Sequence, residues 1–483
     1  MSRTTPSRTT RRKFLQQSLA AGAAFTIAGT KASGRVIGAN DTIRVGIAGL
    51  NGRGVSHLDG LRQIPGVQIT YLIDPDQKVL ERRAKELEAK TGQKARTVQD
   101  IRQALDDQEL DVVTIATPNH WHSLIAIWAC QAGKDVYVEK PCSHNVHEGR
   151  ITVETARKNK RIVQHGTQSR SDAGWAGAIE FIQSGKAGKL LVARGLVYKP
   201  RGSIGVKSPE APPDYLDFNL WLGPAPEQPF HKNLVHYNWH WFWDTGNGDI
   251  GNQGVHQMDI ARWGIAGATL PKSVVSLGGR FGYEDQGQTP NTQLAIYDYG
   301  DTQLVFEVRG LPTDKFPRAG AGSDNVFHCE EGLVTRKGFY RKGSDTPEPL
   351  SSAPRGPGRD HFDNFISAVR SRNQEELNAD ILEGHYSSAL CHLGNISYRL
   401  GEKVPFSPQT KAFGDNREVY ETLARMEEHL AAGNGLNLGQ LDYTLGRKLV
   451  VDAQSESFVG DDEANRMLTR QYRAPFVVPD KVA

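Results

Sequence analysis

Ile43-Arg44-Val45-Gly46-Ile47-Ala48-Gly49-Leu50-Asn51-Gly52-Arg53-Gly54 is the stretch that decides the fold. Its first six residues are apolar and rich in β-branched side chains, the mark of a buried strand. They run directly into a glycine-rich turn. Residues Val55 to Ile64 are expected to form a helix, and Val67 to Ile73 a second strand that ends in Asp74. Strand, turn, helix and strand form the context that a dinucleotide fingerprint requires. Gly49 lets the chain reverse tightly. Asn51 and Gly52 are small enough for backbone N–H groups to approach a pyrophosphate, Arg53 follows, and Gly54 permits close helix–strand packing. The helix N-terminus then turns its positive dipole end to the phosphates. Asn51 stands where a second glycine is usual, and asparagine tolerates left-handed backbone better than most residues. Asp74 lies 20 residues past Gly54. An acid there accepts both ribose hydroxyls and repels a 2′-phosphate, which favours NAD over NADP.

The alternation of strand and helix continues outward from this unit. Val79 to Thr91 has helical period, and Asp111 to Ala116 reads as another buried strand. The C-terminal end of that strand meets Thr117-Pro118-Asn119-His120-Trp121-His122, where a ligand sits in open α/β sheets. A helix is expected from Leu124 to Ala132, strands at Asp135 to Val138 and Ile162 to Gln164, and the Glu139-Lys140-Pro141 sequence between them. Beyond residue 165 the pattern changes. Lys189 to Tyr198, Ser273 to Arg280, Gln293 to Tyr299, Gln303 to Arg309, Asn325 to Glu330 and Gly332 to Arg336 read as strands, with a tight turn at Asp298 to Asp301. Helices are expected at Asp360 to Arg372, Glu383 to Leu400, Arg417 to Ala432 and Asp462 to Arg470. The fold class is therefore α/β: a Rossmann domain over 40–165, an α/β domain with a large, mainly antiparallel open sheet over 166–405, and a polar C-terminal extension over 406–483.

Gly49-x-Asn-Gly-x-Gly54, Ala116-Thr-Pro-Asn-His-Trp-His122, Gly133-Lys-Asp-Val-Tyr-Val-Glu-Lys-Pro141 and Gly251-Asn-Gln-Gly-Val-His256-Gln-Met-Asp259 together resemble the Gfo/Idh/MocA family of oxidoreductases. The likeness runs through most of the chain after residue 40. It implies redox chemistry on a sugar or polyol, NAD as cofactor and frequent homo-oligomerisation. By position it implies that Lys140 contacts substrate and nicotinamide ribose and that His256 is the acid/base. It also places Thr117, Pro118, Asn119, His122 and Glu139 around the cofactor. Asn252 falls where inositol dehydrogenases carry an aspartate, so a titratable group is missing there; Asp249 and Asp259 are the nearby acids. A histidine that titrates near neutral pH suits proton transfer from a secondary alcohol, and a lysine beside the hydroxyl stabilises the alkoxide. The aromatic run His236 to Asp244 fits either a sugar-stacking wall or a domain junction, with Trp241 as its candidate substrate residue and Lys199 as a second. The histidine pairs 120/122, 144/147 and 236/240 lack an accompanying acid or third ligand at fixed spacing, so no metal is expected.

Composition bounds the rest. A net charge of +3 over 483 residues, with Lys and Arg scattered among Asp and Glu, argues against a nucleic-acid surface. Cys130, Cys142, Cys329 and Cys391 include no CxxC pair, which removes a zinc or redox motif. Residues 1–34 read as a Tat-type signal: Arg11-Arg12-Lys13-Phe14-Leu15 followed by a small, apolar run from Leu19 to Gly29. That run is shorter than the ~20 apolar residues a membrane span needs. The expectation is an exported, periplasmic or secreted protein with no stable span once mature. The leading function is an NAD(P)-dependent oxidoreductase acting on a sugar, polyol or glycoside. The alternatives are a glycoside hydrolase that cycles a tightly bound NAD through oxidation, elimination and reduction, and a sugar-binding protein without turnover.

Overall fold

A computed structural model describes residues 42–482 apart from 321, 354, 407–412 and 414–415; the expected signal over 1–34 lies outside the described residues. The chain opens with β1 (Ile43–Ala48), α1 (Gly54–Leu61), β2 (Val67–Ile73), α2 (Gln77–Thr91), β3 (Arg96–Val98), α3 (Ile101–Leu105), β4 (Val112–Ile115), α4 (Asn119–Gln131), β5 (Asp135–Val138), α5 (Val146–Lys158) and β6 (Val163–His165). These strands form one parallel sheet in the order β3-β2-β1-β4-β5-β6. Order 3-2-1-4-5-6 is the doubly wound arrangement, with its crevice where the order reverses, between β1 and β4. Val112, Val113, Thr114 and Ile115 are all buried, as are all four residues of β5, because helices cover both faces.

The second domain continues with α6 (Ala173–Gln183), β7 (Leu190–Tyr198), α7 (Phe218–Leu222), α8 (Gly248–Gly251), α9 (Gly254–Gly264), β8 (Ser273–Gly279), β9 (Thr292–Asp298), β10 (Gln303–Arg309), β11 (Ser323–Cys329), β12 (Gly332–Thr335) and β13 (Gly338–Arg341). After α10 (His361–Ser371) and α11 (Ile381–Arg399) come β14 (Glu402–Pro405), α12 (Arg417–Ala431), β15 (Asp442–Leu445), β16 (Leu449–Asp452), β17 (Ser457–Phe458) and α13 (Asp462–Arg466). An 11-stranded sheet runs β13-β12-β11-β7-β10-β9-β8-β15-β14, with β16 also on β8 and β17 on β16. Only its β7–β10 pair is parallel; the remainder is antiparallel. One face of this sheet packs on α9 and α11 through Val255, Met258, Leu390 and Leu393.

Several element boundaries differ from those expected. Helix α4 begins at Asn119 rather than Leu124, because Pro118 ends the strand-side turn and the polar Asn119, His120 and His122 are buried in the first helical turn. Periodicity of apolar residues shows only from Leu124 onward. The last helix stops at Arg466, short of Arg470. Helices α6 and α9 carried no clear stripe, since most of their residues are buried and no broad polar face marks the period. The segment after residue 405, set apart in the sequence as a polar extension, is woven into both domains. β15 and β16 join the large sheet. Val419, Leu423, Met426 and Leu430 of α12 pack on its second face against Leu277, Leu294 and Val305. The final residues return to the Rossmann domain, where Phe476 is 1% exposed and meets Trp121 edge-on at 5.3 Å.

That last contact makes the C-terminal residues part of the core. Phe476→Ala is expected to lower the unfolding free energy by about 3 kcal/mol, the usual cost of emptying a buried aromatic site; a denaturant titration with an unshifted midpoint would show the tail to be dispensable.

Candidate active site

The turn between β1 and α1 is built on two steric demands. Gly49 has φ +84°, and a Cβ on it would stand 2.5 Å from the Ala116 carbonyl carbon at the end of β4. A Cβ on Gly54 would lie 1.9 Å from the Gly49 oxygen. Neither position accepts a side chain. Gly52 differs: nothing lies within 4 Å of its missing Cβ, so the space above it is open. Asn51 turns its side chain outward, where its Oδ1 accepts a hydrogen bond from Arg82 at 2.9 Å.

A cavity of about 290 Å³ runs along the C-terminal ends of β1, β2, β4 and β5. Gly49, Asn51, Gly52, Arg53, Asp74, Thr117, Pro118, Asn119, His122, Glu139, Lys140 and Asn252, named from sequence, all line it. Gly54 lies just behind, as the first residue of α1. Trp241, Lys199 and His256 are not part of this wall. The Trp241 ring instead lies under Arg201, 5.3 Å from the guanidinium carbon, and Lys199 is exposed with Gln253 as a neighbour at 3.4 Å. Arg201, held by Asp249, covers the Trp241 ring, and Lys199 is exposed directly past the end of β7. His256, on α9, is half-buried, and its imidazole makes no hydrogen bond among the described residues. Burial and then the cation of Lys140 push its pKa down to about 3.

Glu139 joins the turn to the reacting end of the cavity. Its Oε1 accepts from Arg53 Nε at 2.8 Å and Gln168 Nε2 at 3.2 Å, and lies 3.2 Å from His57 Nε2. Burial opposes its charge, but His57 and Arg53 hold the carboxyl well below the usual carboxylate range. The next residue, Lys140, directs Nζ to the Asn252 carbonyl at 2.8 Å and to Asn252 Oδ1 at 3.4 Å. Burial lowers the Lys140 pKa, with Glu139 opposing the shift. Behind Asn252, Asp249 Oδ1 accepts from Asn252 Nδ2 at 3.3 Å, and both Asp249 oxygens accept from Arg201 at 2.8 Å. The acid missing at position 252 is thus present one helical turn earlier, linked to Lys140 through a neutral amide. Asp259 is elsewhere: it is buried on Arg170, at 2.8 and 3.0 Å, and on Ser387.

A long excursion of the second domain roofs the cavity. Gln77 N–H donates to the Tyr215 carbonyl at 2.8 Å, Asp217 N–H to the Pro75 carbonyl at 3.0 Å, and His236 Nε2 stands 3.1 Å from Asp76 Oδ2. Trp121 Nε1 donates to the Leu220 carbonyl at 2.9 Å. Arg473, from the C-terminal tail, holds the Asn219 carbonyl at 2.7 Å and the Gly223 carbonyl at 3.0 Å. Trp221, His236, Tyr237, Trp239 and His240 come to the wall on this roof. The sequence offered Trp241 of the same run as the substrate residue instead of any of these. Aromatic density marked the segment correctly, but one-residue spacing along irregular chain does not say which rings face inward. The histidine pairs do not converge. His236 faces Asp76, His144 Nδ1 faces Arg470, and His120 lies between the carbonyls of Thr245 and Trp221. Among the described residues no three His, Cys, Asp or Glu side chains group as metal ligands. All four cysteines are buried and free.

The residues present fit a dinucleotide. The cradle above Gly52 is open, Thr117 Oγ1 is a buried hydroxyl without a partner, and Asp74 brings its carboxylate to the wall. Asp74 already accepts from the Leu50 N–H at 2.8 Å and the Asp76 N–H at 3.0 Å, which leaves further lone pairs for ribose hydroxyls.

Comparison with known proteins decides the family. Residues 43–167 match the oxidoreductase family's NAD-binding Rossmann fold, and residues 198–276 match its C-terminal α/β domain. The chain carries both domains of the Gfo/Idh/MocA oxidoreductase family. Inositol 2-dehydrogenase of Salmonella paratyphi B is 30% identical over 172 residues, 35% of this chain and 50% of that protein. Levoglucosan dehydrogenase of Pseudarthrobacter phenanthrenivorans is 26% identical over 278 residues, 54% of this chain and 64% of that protein. A glycosyl hydrolase family 109 protein of Shewanella pealeana is 29% identical over 171 residues, 34% of this chain and 37% of that protein. The chain thus spans about half the length of the curated relatives it matches. The fold matches that of the WlbA dehydrogenase of Chromobacterium violaceum, solved with NADH and UDP-GlcNAcA, with TM-score 0.56 and 18% identity over 76% of this chain and 96% of that one. The matched Rossmann fold is NAD-binding, and Asp74 stands on the wall of the cavity at the end of β2.

Burial raises the Asp74 pKa to about 6. Because this acid is raised rather than depressed, its charged form is present only above that pH, and the charged form is the one that accepts both hydroxyls. NAD affinity is expected to weaken about tenfold between pH 7 and pH 5, the loss following protonation with a midpoint near 6. Asp74→Asn should flatten that profile; calorimetric titration of the NAD-free protein at several pH values measures it, and an unchanged slope in the variant would assign the pH dependence to another group.

Proposed function

We propose that this protein is an NAD-dependent oxidoreductase that acts on a secondary alcohol of a sugar, polyol or glycoside. The observation that carries the reading is the placement of Lys140. Its half-buried ammonium lines the same cavity as the dinucleotide turn, held by the carbonyl and side-chain oxygen of Asn252, with the Glu139 carboxylate favouring its charge. The nicotinamide, when bound, accepts hydride from the carbon that bears the hydroxyl. The chain supplies the rest. Lys140 donates to the substrate oxygen and stabilises the charge that grows on it as the proton leaves. The family motif assigns the proton acceptor to His256, one turn past Asn252; it stands behind the cavity wall, and burial and Lys140 keep its imidazole neutral, the form that can accept a proton. A substrate seated under the roof residues Tyr237, Trp239 and His240 would displace water there, which strengthens each of these interactions. The inositol and levoglucosan dehydrogenases among the relatives support a polyol or sugar substrate.

The roof also favours the second reading, a hydrolase that keeps its dinucleotide. Its latches to Pro75, Asp76 and Gln77 close over the ribose end, so exchange requires several hydrogen bonds to break together. The family 109 hydrolase among the relatives supports the same chemistry. Arg11-Arg12 supports delivery of the folded, loaded protein across a membrane.

Purified protein is expected to retain dinucleotide through gel filtration. Absorbance at the NADH band, followed while myo-inositol, levoglucosan and nitrophenyl glycosides are added with excess NAD, separates the readings. Net NADH indicates the dehydrogenase, and nitrophenol release without net NADH indicates the hydrolase. Failure to bind NAD at all would overturn both. Lys140→Ala is expected to lower turnover at least ~100-fold while dinucleotide content is unchanged; retained turnover would remove Lys140 from the chemistry.

A further inference from the structure

The roof carries one histidine whose hydrogen-bonding state is fixed by geometry. His240 sits in a short 3-10 turn, Asn238–Trp241. Its Nδ1 lies 2.5 Å from the Tyr237 carbonyl. A carbonyl only accepts, so Nδ1 carries the proton in that bond. The ring stacks on Trp239 with centroids 3.5 Å apart and planes 20° from parallel. The backbone is equally constrained: a Cβ on Gly246 would stand 2.5 Å from His240 Cα, and Thr245 Oγ1 holds the Trp239 carbonyl at 2.9 Å. Nε2 has no partner among the described residues, and His240 lines the cavity with Lys140 and His122. Burial first, then the cations of Lys140 and Arg201, keep the ring neutral and push its pKa down to about 3.

A neutral imidazole that donates through Nδ1 can only accept through Nε2. We propose that His240 is a specificity-determining residue of the active site, its Nε2 an obligatory acceptor for an O–H or N–H donor on the substrate. The inference rests on the sugar-redox reading and sharpens it. Lys140 and His240 form a donor and an acceptor in one cavity, so the substrate must present an oxygen to the first and a hydrogen to the second. A carboxylate or phosphate cannot satisfy His240. A free hydroxyl beside the reacting carbon, or an amide N–H in its place, can. Sites that hydrogen-bond a substrate hydroxyl reject analogues that lack it far more strongly than apolar pockets reject a missing methylene, because the site's own polar atom is left unpaired.

Two measurements on the NAD-loaded protein test this. In the first, ¹⁵N-histidine labelling with His240→Gln as the assignment control reads the tautomer directly. The expected result is Nδ1–H with unprotonated Nε2 from pH 5 to 8; Nε2–H, or an imidazolium in that range, would overturn the proposal. In the second, myo-inositol and levoglucosan are compared with their mono-O-methyl ethers, which keep the oxygen and lose the donor. The ether blocking the recognised hydroxyl is expected to raise KM at least tenfold in the wild type. His240→Phe, which keeps a ring on Trp239, should erase that difference while dinucleotide content stays the same. A penalty that survives in His240→Phe would assign recognition to another group. The tautomer measurement decides even if neither sugar is turned over, whereas absence of bound NAD would fault the underlying redox reading instead.

Discussion

The buried carboxylate of Glu139 is the charge around which the active site is arranged. Removing a carboxylate from water costs several kcal/mol unless close partners compensate. Here Arg53 comes from the mouth of the dinucleotide turn, His57 from α1 and Gln168 from the segment after β6. The packing leaves no slack: a Cβ on Gly166 would approach Glu139 Oε2 to 2.9 Å. One ion therefore ties the phosphate-facing turn to the end of β5 and sets where Lys140 begins. The assignment of Glu139 as a cofactor contact is refined by this geometry. It lines the cavity, but its Oε1 is taken by Arg53, His57 and Gln168.

From Lys140 the constraint spreads to the second domain. Asn252 accepts from the ammonium through its carbonyl and its side-chain oxygen, and passes its amide N–H to Asp249. Asp249 accepts only, so it fixes the orientation of that amide and keeps an oxygen toward Lys140. Arg201 neutralises Asp249 and reaches the Tyr237 hydroxyl at 3.2 Å. Tyr237 in turn supplies the carbonyl that fixes His240. Polar contacts thus run from the Rossmann turn to the roof. The roof is held a second time by the tail through Arg473, next to the contact of Phe476 with Trp121 on the Rossmann domain. A segment that looked like a polar extension is a brace across the cofactor cleft.

Much of this was legible in the sequence. The turn at Gly49–Gly54, the acid at Asp74, the Thr117–His122 corner and Lys140 all reach the cavity, because each sits at the C-terminal end of a strand in a parallel sheet. Local order fixes such positions: the strand is short and apolar, and the next residues must emerge at its carboxyl edge. The strands β14 to β16 were not legible, being four residues each with little alternation. Trp241 was chosen where Trp239 and His240 face the cavity, since irregular chain has no period from which to infer direction.

The sequence by itself determined the Rossmann sheet, the glycine-bound turn and the residues offered to a dinucleotide, because these depend on local sterics and strand order. Tertiary structure alone decided that Asp249 stands behind Asn252, that His240 rather than Trp241 lines the wall, and that Arg473 of the tail clamps the roof. Those outcomes rest on contacts between groups up to hundreds of residues apart, such as Arg473 with Asn219 at a separation of 254. Their geometry is set by burial and charge pairing across domains, which no local pattern encodes.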